Sequence, residues 1–552
     1  MDITGAQLIT RFLERQGVAL VPGIPGGALL PLYRALADST LTHILARHEQ
    51  GAAFIAQGLA RVTGRAGVVL ATSGPGVTNV VTALADAKMD SVPLVCIAGQ
   101  VPRRMIGTDA FQEVAAVPMA RPLTKAAFHV GAASELLELL PEAFRLAESG
   151  RPGPVLLDIP KDVQTEVIQG AWIPEAVQPA RARRPDPALI MQAAEMIAAA
   201  KRPVLYLGGG VTQARAQAAA QRLAERASLP TTTTLMALGT LPPEHPLALG
   251  MLGMHGARYT NQVIEECDLL IAIGARFDDR ATGRVDRFAP DARVIHIDAD
   301  PRELHKIRRA ELAICADAGH ALEALEQAVQ PVLRTQWLER VGTLRRERPL
   351  LLPGADDARR PYGLIQAVGR IAGPDAAITT DVGQHQMWVA QSYPFTRPER
   401  WLTSGGLGTM GFGLPAAIGA ALALPRTPVV CFTGDGSLMM NIQELATLAE
   451  LQLDVKIVVM DNAALGMVRQ QQQLFYQSRF SGSLYAQPPS LTAIAEAFGV
   501  PAYDLAIAHD PERALRAAFA RPGPVLIRAP IQAEELVLPM VAPGAANTEV
   551  IH

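Results

Sequence analysis

The sequence predicts an α/β protein of three doubly wound parallel-sheet domains, and three observations predict it. Apolar β-rich runs alternate with helical patterns through the first 160 residues and again in two later stretches, which is how parallel sheets with crossover helices read. The 552 residues exceed one core at roughly 150 to 200 residues per domain. A stretch without a clear period at 170–187 and an Arg-rich stretch at 345–360 fall where linkers are expected. Hydrophobic residues make up 49% and charged residues 19%, enough for large cores and too little repulsion for disorder.

Taken in order, residues 4–16 are predicted as a helix, opened by a Thr4/Gln7 capping-box pattern and closed at Gly17. Strands at 43–47, 67–71 and 93–98 alternate with helices at 50–63 and 77–88, so ligand-binding loops are expected after the strands' C-terminal ends. A second unit begins at Pro203: a strand at 204–207 runs into Gly208-Gly209-Gly210, and strands follow at 269–273 and 294–297. The third carries strands at 377–380, 428–433, 455–460 and 524–528. The domain limits that follow are 1–169, 189–343 and 361–535, with a tail at 536–552.

Several function classes are excluded. With 50 Lys+Arg against 53 Asp+Glu the net charge is -3, so no global positive field draws in nucleic acid or an anionic membrane. Residues 402–425 carry no charge and are long enough to span a bilayer. Gly405, Gly406, Gly411, Gly413 and Pro415 would break a lipid-exposed helix, so a buried loop and a core helix at 415–424 are expected. Cys96, Cys267, Cys315 and Cys431 are far apart without a C-x-x-C pair, which suggests reduced thiols rather than zinc or disulfides. The N-terminus lacks a signal-peptide pattern, and a cytoplasmic location is expected.

The sharpest chemical signal lies in the third unit. The strand at 428–433 runs into Gly434-Asp435-Gly436-Ser437, then a helix is expected after Ser437, then the strand at 455–460 ends at Asp461-Asn462. Asp435 and Asn462 are 27 residues apart, a spacing that brings both to the C-terminal edge of neighbouring parallel strands. One carboxylate, one amide oxygen and a nearby carbonyl suit Mg²⁺, which usually completes its octahedron with phosphate oxygens. Gly434 and Gly436 let the backbone approach those phosphates, and the helix N-terminus favours them.

This combination resembles the thiamin diphosphate motif. That cofactor also needs a carboxyl at its pyrimidine end, and Glu49 in Arg47-His48-Glu49-Gln50-Gly51-Ala52-Ala53 matches the family segment, a general acid-base role. Further segments extend the resemblance: Gly23-Ile24-Pro25-Gly26-Gly27, Thr72-Ser73-Gly74-Pro75-Gly76, the runs 106–113 and 151–162, Gly250-Met251-Leu252-Gly253-Met254-His255-Gly256, and the runs 274–280, 381–388 and 406–413. Over nearly its whole length the chain is similar to the large, catalytic subunits of acetohydroxyacid synthase (acetolactate synthase), and its Gln-rich segment resembles their isozyme I type.

The resemblance implies a thiamin diphosphate-binding fold with a pyrimidine-binding, an FAD-binding middle and a diphosphate-binding domain. It implies decarboxylation of pyruvate and addition of the two-carbon unit to a second pyruvate or to 2-ketobutyrate. Catalytic positions carried over are Glu49, Gln112, Lys161, Arg280, Gly26 and Gly27. Thiamin diphosphate would be held by Glu49, Pro25, Val382, Gln384, His385, Gly408, Met410, Gly434, Gly436, Ser437, Gly466 and Met467, and Mg²⁺ by Asp435, Asn462 and the Ala464 carbonyl. A structural FAD would lie on Arg151, Gly208, Gly209, Gly210, Met254, His255, Gly274, Arg276, Asp298 and Asp317.

Selectivity would rest on Gln471, Phe111 and Met254. Many relatives carry Trp at position 471; Gln471 removes that apolar wall, a contact worth about 1 to 3 kcal/mol, so weak acceptor preference is expected. The implied partners are a second copy of the chain, as a homodimer or dimer of dimers, and a small regulatory subunit. The nearest alternatives are pyruvate oxidase, which would use its flavin for electron transfer, and glyoxylate carboligase, which lacks the Glu at position 49. A non-catalytic nucleotide-binding protein would not need Glu49, Asp435 and Asn462 together. The tail from Pro539 to Glu549 resembles the segment that closes over the family's active site, although its composition alone suggests a frayed end.

Overall fold

The computed structural model describes residues 2–551. Three six-stranded sheets, each wholly parallel, are built in succession. The N-terminal sheet comprises β1 (Leu20–Gly23), β2 (Thr42–Leu45), β3 (Gly67–Ala71), β4 (Leu94–Gln100), β5 (Ala126–His129) and β6 (Pro154–Pro160), in the order β2-β1-β3-β4-β6-β5. The middle sheet comprises β7 (Pro203–Leu207), β8 (Thr231–Thr233), β9 (Ala248–Met251), β10 (Leu269–Ile273), β11 (Arg293–Asp298) and β12 (Leu312–Cys315), in the order β9-β8-β7-β10-β11-β12.

The C-terminal sheet comprises β13 (Ala377–Thr380), β14 (Trp401–Leu402), β15 (Val429–Gly434), β16 (Val455–Asp461), β17 (Ala502–Asp504) and β18 (Val525–Pro530), in the order β14-β13-β15-β16-β18-β17. The first and third units thus share one strand order. The middle one has the order of dinucleotide-binding sheets, with its switch point between β7 and β10.

Helix α1 (Gly5–Arg15) forms with both hydrogen bonds of the Thr4/Gln7 capping box in place. Helices α2 (Glu49–Thr63) and α3 (Pro75–Met89) follow β2 and β3, and α4 (Thr335–Glu347) closes the middle unit. In the third unit α5 (Gly413–Ala423) precedes β15, α6 (Asp435–Leu438) and α7 (Glu444–Glu450) connect β15 to β16, and α8 (Gly466–Phe475) follows β16. Helices α2 and α5 cross with their backbones touching: a Cβ on Gly419 would stand 2.1 Å from the Ile55 carbonyl oxygen, and one on Gly58 2.3 Å from that of Ala416. One apolar core therefore runs from the N-terminal into the C-terminal unit, through Phe54, Ile55, Phe412 and Ile418. The middle sheet has cores of its own.

Several sequence expectations are corrected. The strand expected to reach Arg47 stops at Leu45, and the half-buried His48 serves as the N-cap of α2, its ring accepting from the Gln50 amide. The helix expected after Ser437 begins at Asp435, so the Gly436 and Ser437 amides belong to its first turn. The stretch 345–360 is helical as far as Glu347. The tail is not frayed: Met540–Val541 pairs antiparallel with Val550–Ile551, and Asn547 Nδ2 donates to the Ala281 carbonyl at 2.7 Å.

Residues 402–425 form the end of β14, a loop and buried α5, as their glycines require. Among the described residues no helix is long and apolar enough to cross a membrane. All four cysteines are free thiols.

Candidate active site

A cavity opens where β13, β15 and β16 end. Gly434 on β15 lies opposite Met460 on β16, so Asp435 and Asn462 emerge close together two strands into the sheet edge. Asp435 Oδ2 accepts from the Ala464 amide at 3.2 Å, tying the two loops to each other. Burial first, then the neighbouring Asp461 carboxylate, push Asp435 up to about 7. Arg528 offers no relief, because it is engaged by Asp461 at 2.6 Å and by Asp504 at 3.0 Å. A buried carboxylate left without a cation is unfavourable, and a metal ion on Asp435 removes that strain.

The β13 side completes the cavity. Buried Asp381 accepts from Gly413 N at 2.9 Å and Thr433 Oγ1 at 2.6 Å, fixing the end of β13 against β15 and the start of α5. Gln384 Oε1 accepts from Asn462 Nδ2 at 3.1 Å, which leaves the Asn462 oxygen as the free end of that amide. Gln384 Nε2 is itself held by Gln470 Oε1 and the Glu535 carbonyl, at 2.9 and 2.8 Å.

His385 Nε2 is buried without a hydrogen-bond partner, and burial drives this imidazole down to about 3, so it is neutral. The glycines leave no room for side chains: a Cβ on Gly466 would lie 2.1 Å from Gln384 Oε1, and one on Gly436 2.5 Å from Tyr485 Oη. Among the described residues there is no group of three His, Cys, Asp or Glu side chains able to hold a metal. An ion beside Asp435 and Asn462 must complete its shell from carbonyls, water or a bound phosphate. The donor set and the unpartnered His385 nitrogen fit a metal-bound diphosphate.

Of the residues singled out in the sequence, Val382, Gln384, His385, Met410, Gly434, Asp435, Gly436, Ser437, Asn462, Ala464, Gly466 and Met467 all line this one cavity. Gly408, at φ 71°, lies two residues before Met410. Trp388, Leu465 and Val468 line it too and were not among the predicted site residues. Trp388 ends the run 381–388 that carries part of the resemblance, whereas the apolar character of Leu465 and Val468 resembles ordinary core.

A second set gathers on the N-terminal unit. Glu49 opens α2, and its Oε2 accepts from Asn79 Nδ2 on α3 at 2.9 Å. Pro25, Gly26 and Gly27 follow β1, and a Cβ on Gly26 would meet Thr72. Gln112, at φ 62°, lies against Gly74, and Lys161 opens the helix after β6. None of these lines the cavity of its own chain.

Residues 3–119, 190–325 and 381–529 match, in turn, the N-terminal TPP binding domain, the central domain and the C-terminal TPP binding domain of thiamine pyrophosphate enzymes. The chain is 56% identical to the acetolactate synthase isozyme 1 large subunit of Escherichia coli (strain K12) over 549 residues, 99% of this chain and 97% of the relative. It belongs to the acetolactate synthase large-subunit family. The isozyme 2 large subunit of the same organism is 47% identical over 550 residues, 100% of both chains. Chloroplastic acetolactate synthase 1 of Zea mays is 43% identical over 565 residues, 99% of this chain and 88% of the relative.

Most of the remaining candidate residues lie on the middle unit. Gly208, Gly209 and Gly210 follow β7 at the switch point of its sheet. Cβ atoms on Gly208 and Gly210 would lie 2.1 Å from the Gly274 carbonyl oxygen and 2.8 Å from its Cα, so these glycines serve a close backbone approach. Asp298 ends β11 and is pushed up to about 6 by burial. Asp317 caps the helix Ala318–Ala328.

Arg151 binds Glu303 at 2.7 Å, and Arg276 follows β10 by three residues. His255 is buried and lowered to about 4 by desolvation. Exposed Arg280 reaches Met254 Sδ at 3.9 Å, Gln471 lies on α8, and Phe111 is 86% exposed.

Proposed function

We propose that the chain is the catalytic subunit of an acetolactate synthase that joins a two-carbon unit from pyruvate to a second 2-ketoacid. With pyruvate the product is 2-acetolactate, and with 2-ketobutyrate it is 2-aceto-2-hydroxybutyrate, both precursors of branched-chain amino acids. The observation that carries the reading is the convergence of Asp435, Asn462 and the unpartnered His385 nitrogen on one cavity, in a chain that follows acetolactate synthase large subunits along its whole length. Thiamin diphosphate supplies, when bound, the electron sink that lets pyruvate lose carbon dioxide and transfer its remaining two carbons.

The chain's own residues do the rest. Asp435, Asn462 and the Ala464 carbonyl hold Mg²⁺, while His385 and the amides of Gly436 and Ser437 receive the diphosphate. Glu49 exchanges a proton with the pyrimidine ring nitrogen, and Met410 supports the cofactor's rings. Gln112 and the Lys161 cation orient pyruvate, with Gly26 and Gly27 leaving room for it. Arg280, exposed and bound only weakly to Asp279 at 3.8 Å, is available to pair with the second ketoacid's carboxylate.

Two pyruvates and a proton give acetolactate and carbon dioxide without net oxidation, so FAD has a structural place. The dinucleotide-type middle sheet, with Gly208–Gly210 at its switch point and Arg151, Met254, His255, Gly274, Arg276, Asp298 and Asp317 near its edge, supports that place.

Glu49 belongs to the N-terminal unit and does not line its own chain's cavity. Leu407, Met439, Met440 and Val468 are exposed apolar residues on or beside the cavity-forming loops. Both observations support a homodimer in which the N-terminal unit of one copy completes the cavity of the other. A small regulatory subunit is the further partner, since relatives are named large subunits.

The reading is tested by incubating the purified chain with pyruvate while omitting thiamin diphosphate, Mg²⁺ or FAD in turn, and measuring acetolactate as acetoin after acidification. Acetolactate that depends on all three is expected. Equal product without thiamin diphosphate would overturn the reading.

A further inference from the structure

Asp86 on α3 and Asp90 at its C-cap are buried carboxylates that face out of their own unit, toward a loop of the C-terminal one. Arg61, near the end of α2, donates to Asp90 at 2.8 Å, approaches Asp86 at 3.5 Å, and lies over the Phe412 ring at 5.0 Å. The Gly405 and Gly406 amides donate to the two oxygens of Asp90 at 3.0 and 2.7 Å. Thr409 Oγ1 donates to Asp86 at 2.8 Å, Ser404 Oγ donates to the same Asp86 oxygen, and Ser404 Oγ accepts from the Thr409 amide at 2.8 Å. A Cβ on Gly406 would stand 2.9 Å from Asp90 Oδ1 and from Met89 Cβ, so the loop backbone lies directly on α3.

Two adjacent buried carboxylates served by one guanidinium are expensive; burial and Asp90 hold Asp86 above the ordinary carboxylate range, against Arg61, Ser404 and Thr409. An apolar contact would join the two units more cheaply. What the charged pair supplies instead is direction, through four hydrogen bonds to one short loop. That loop leads into Gly408 and Met410, and Met410 lines the cavity.

We propose that Asp86 and Asp90 are positioning residues for the active site: braced by Arg61, they fix the 404–409 loop of the same chain and thereby set the place of Met410 at the cofactor cavity. Neither lines the cavity, so both act through the loop. The proposal rests on the thiamin diphosphate reading of that cavity.

The test uses Asp90→Ala, Asp90→Asn, and the loop-side variants Ser404→Ala and Thr409→Val, which remove bonds from the other end and carry the test if Asp90→Ala does not fold. Amide hydrogen exchange of the full chain without cofactor is measured over 403–412, and the Kd for thiamin diphosphate with Mg²⁺ is measured by fluorescence of Trp388, which lines the cavity. Asp90→Ala is expected to speed exchange of the Gly405 and Gly406 amides and raise that Kd by about tenfold. Asp90→Asn, which keeps one acceptor oxygen, is expected to lose less.

Parent-like exchange in 403–412 overturns the proposal. So does a variant with lowered stability whose Kd is unchanged, since that is what a merely structural role gives. A parent chain that binds no thiamin diphosphate defeats the reading of the cavity instead, and the exchange result still decides whether the carboxylates hold the loop.

Discussion

Replacing Gly419 by Ala tests the α2–α5 crossing that joins the first and third units. In an ordinary helix the change stabilises by about 1 kcal/mol, because Ala has the higher helix propensity. Here the new Cβ would stand 2.1 Å from the Ile55 carbonyl oxygen and 2.9 Å from the Leu59 amide nitrogen, where ordinary contact begins at 3.4 Å. Both atoms are main chain in a buried helix, so neither can swing aside as a side chain would. Overpacking of this kind costs about 1 to 3 kcal/mol and sometimes more, which cancels or outweighs the propensity gain and leaves a net loss of up to about 2 kcal/mol.

Gly342 in α4 is the internal control. Its Cβ would meet only the movable Arg346 guanidinium, at 3.5 Å, and Gly342→Ala is expected to gain up to about 1 kcal/mol. Urea unfolding followed by tryptophan fluorescence reads both. A Gly419→Ala midpoint raised as far as that of Gly342→Ala would refute the backbone contact.

Glu49→Gln is expected to lower acetolactate formation by about 10²- to 10⁴-fold with little change in thiamin diphosphate Kd; activity above a tenth of the parent's contradicts the proton-transfer role. Gln384→Ala removes the group that orients Asn462 and should raise the Mg²⁺ concentration for half-maximal activity by about 10- to 100-fold, read by metal titration after chelation. With equal pyruvate and 2-ketobutyrate, the parent should show weak preference, and Gln471→Trp should move the product ratio toward 2-aceto-2-hydroxybutyrate by about tenfold; a parent already biased by tens-fold contradicts the role of Gln471.

His129 is held above its ordinary value of 6.5 by the Asp158 hydrogen bond at 2.9 Å, with burial opposing. A raised folded value means that the stability from this pair is complete below the ordinary His value and lost as pH rises through the folded one. The stability difference between the parent and His129→Gln should therefore shrink as pH rises above the ordinary value of 6.5, and a difference that grows with rising pH contradicts the assignment.

What was legible in the sequence was local. The Gly434-to-Asn462 signal lies within one β-α-β unit, so residue spacing maps directly onto the sheet edge. Strands β3, β10 and β13 fall on the apolar runs that predict them. Strands β1 and β6 were hidden by Pro22, Pro154 and Pro160, because proline argues against a strand inside a sheet.

The contacts between units left no trace in spacing. Asp86 and Asp90 meet their loop across 315 or more residues. Glu444 on α7 accepts the Arg47 and His48 amides, just ahead of Glu49, from 397 and 396 residues away. Only the folded crossing of α2 and α5 brings these partners together. The resemblance places the Gly208–Gly210 run at the FAD site, and its backbone contact with Gly274 adds a packing reason that composition could not supply.

The most direct test of the central claim is anaerobic incubation of the purified chain with pyruvate, Mg²⁺, thiamin diphosphate and FAD, with and without an added electron acceptor. Acetolactate at the same rate in both reactions is the result this account predicts. Pyruvate consumption only when the acceptor is present, with acetate as product, would make the flavin a redox partner and contradict it.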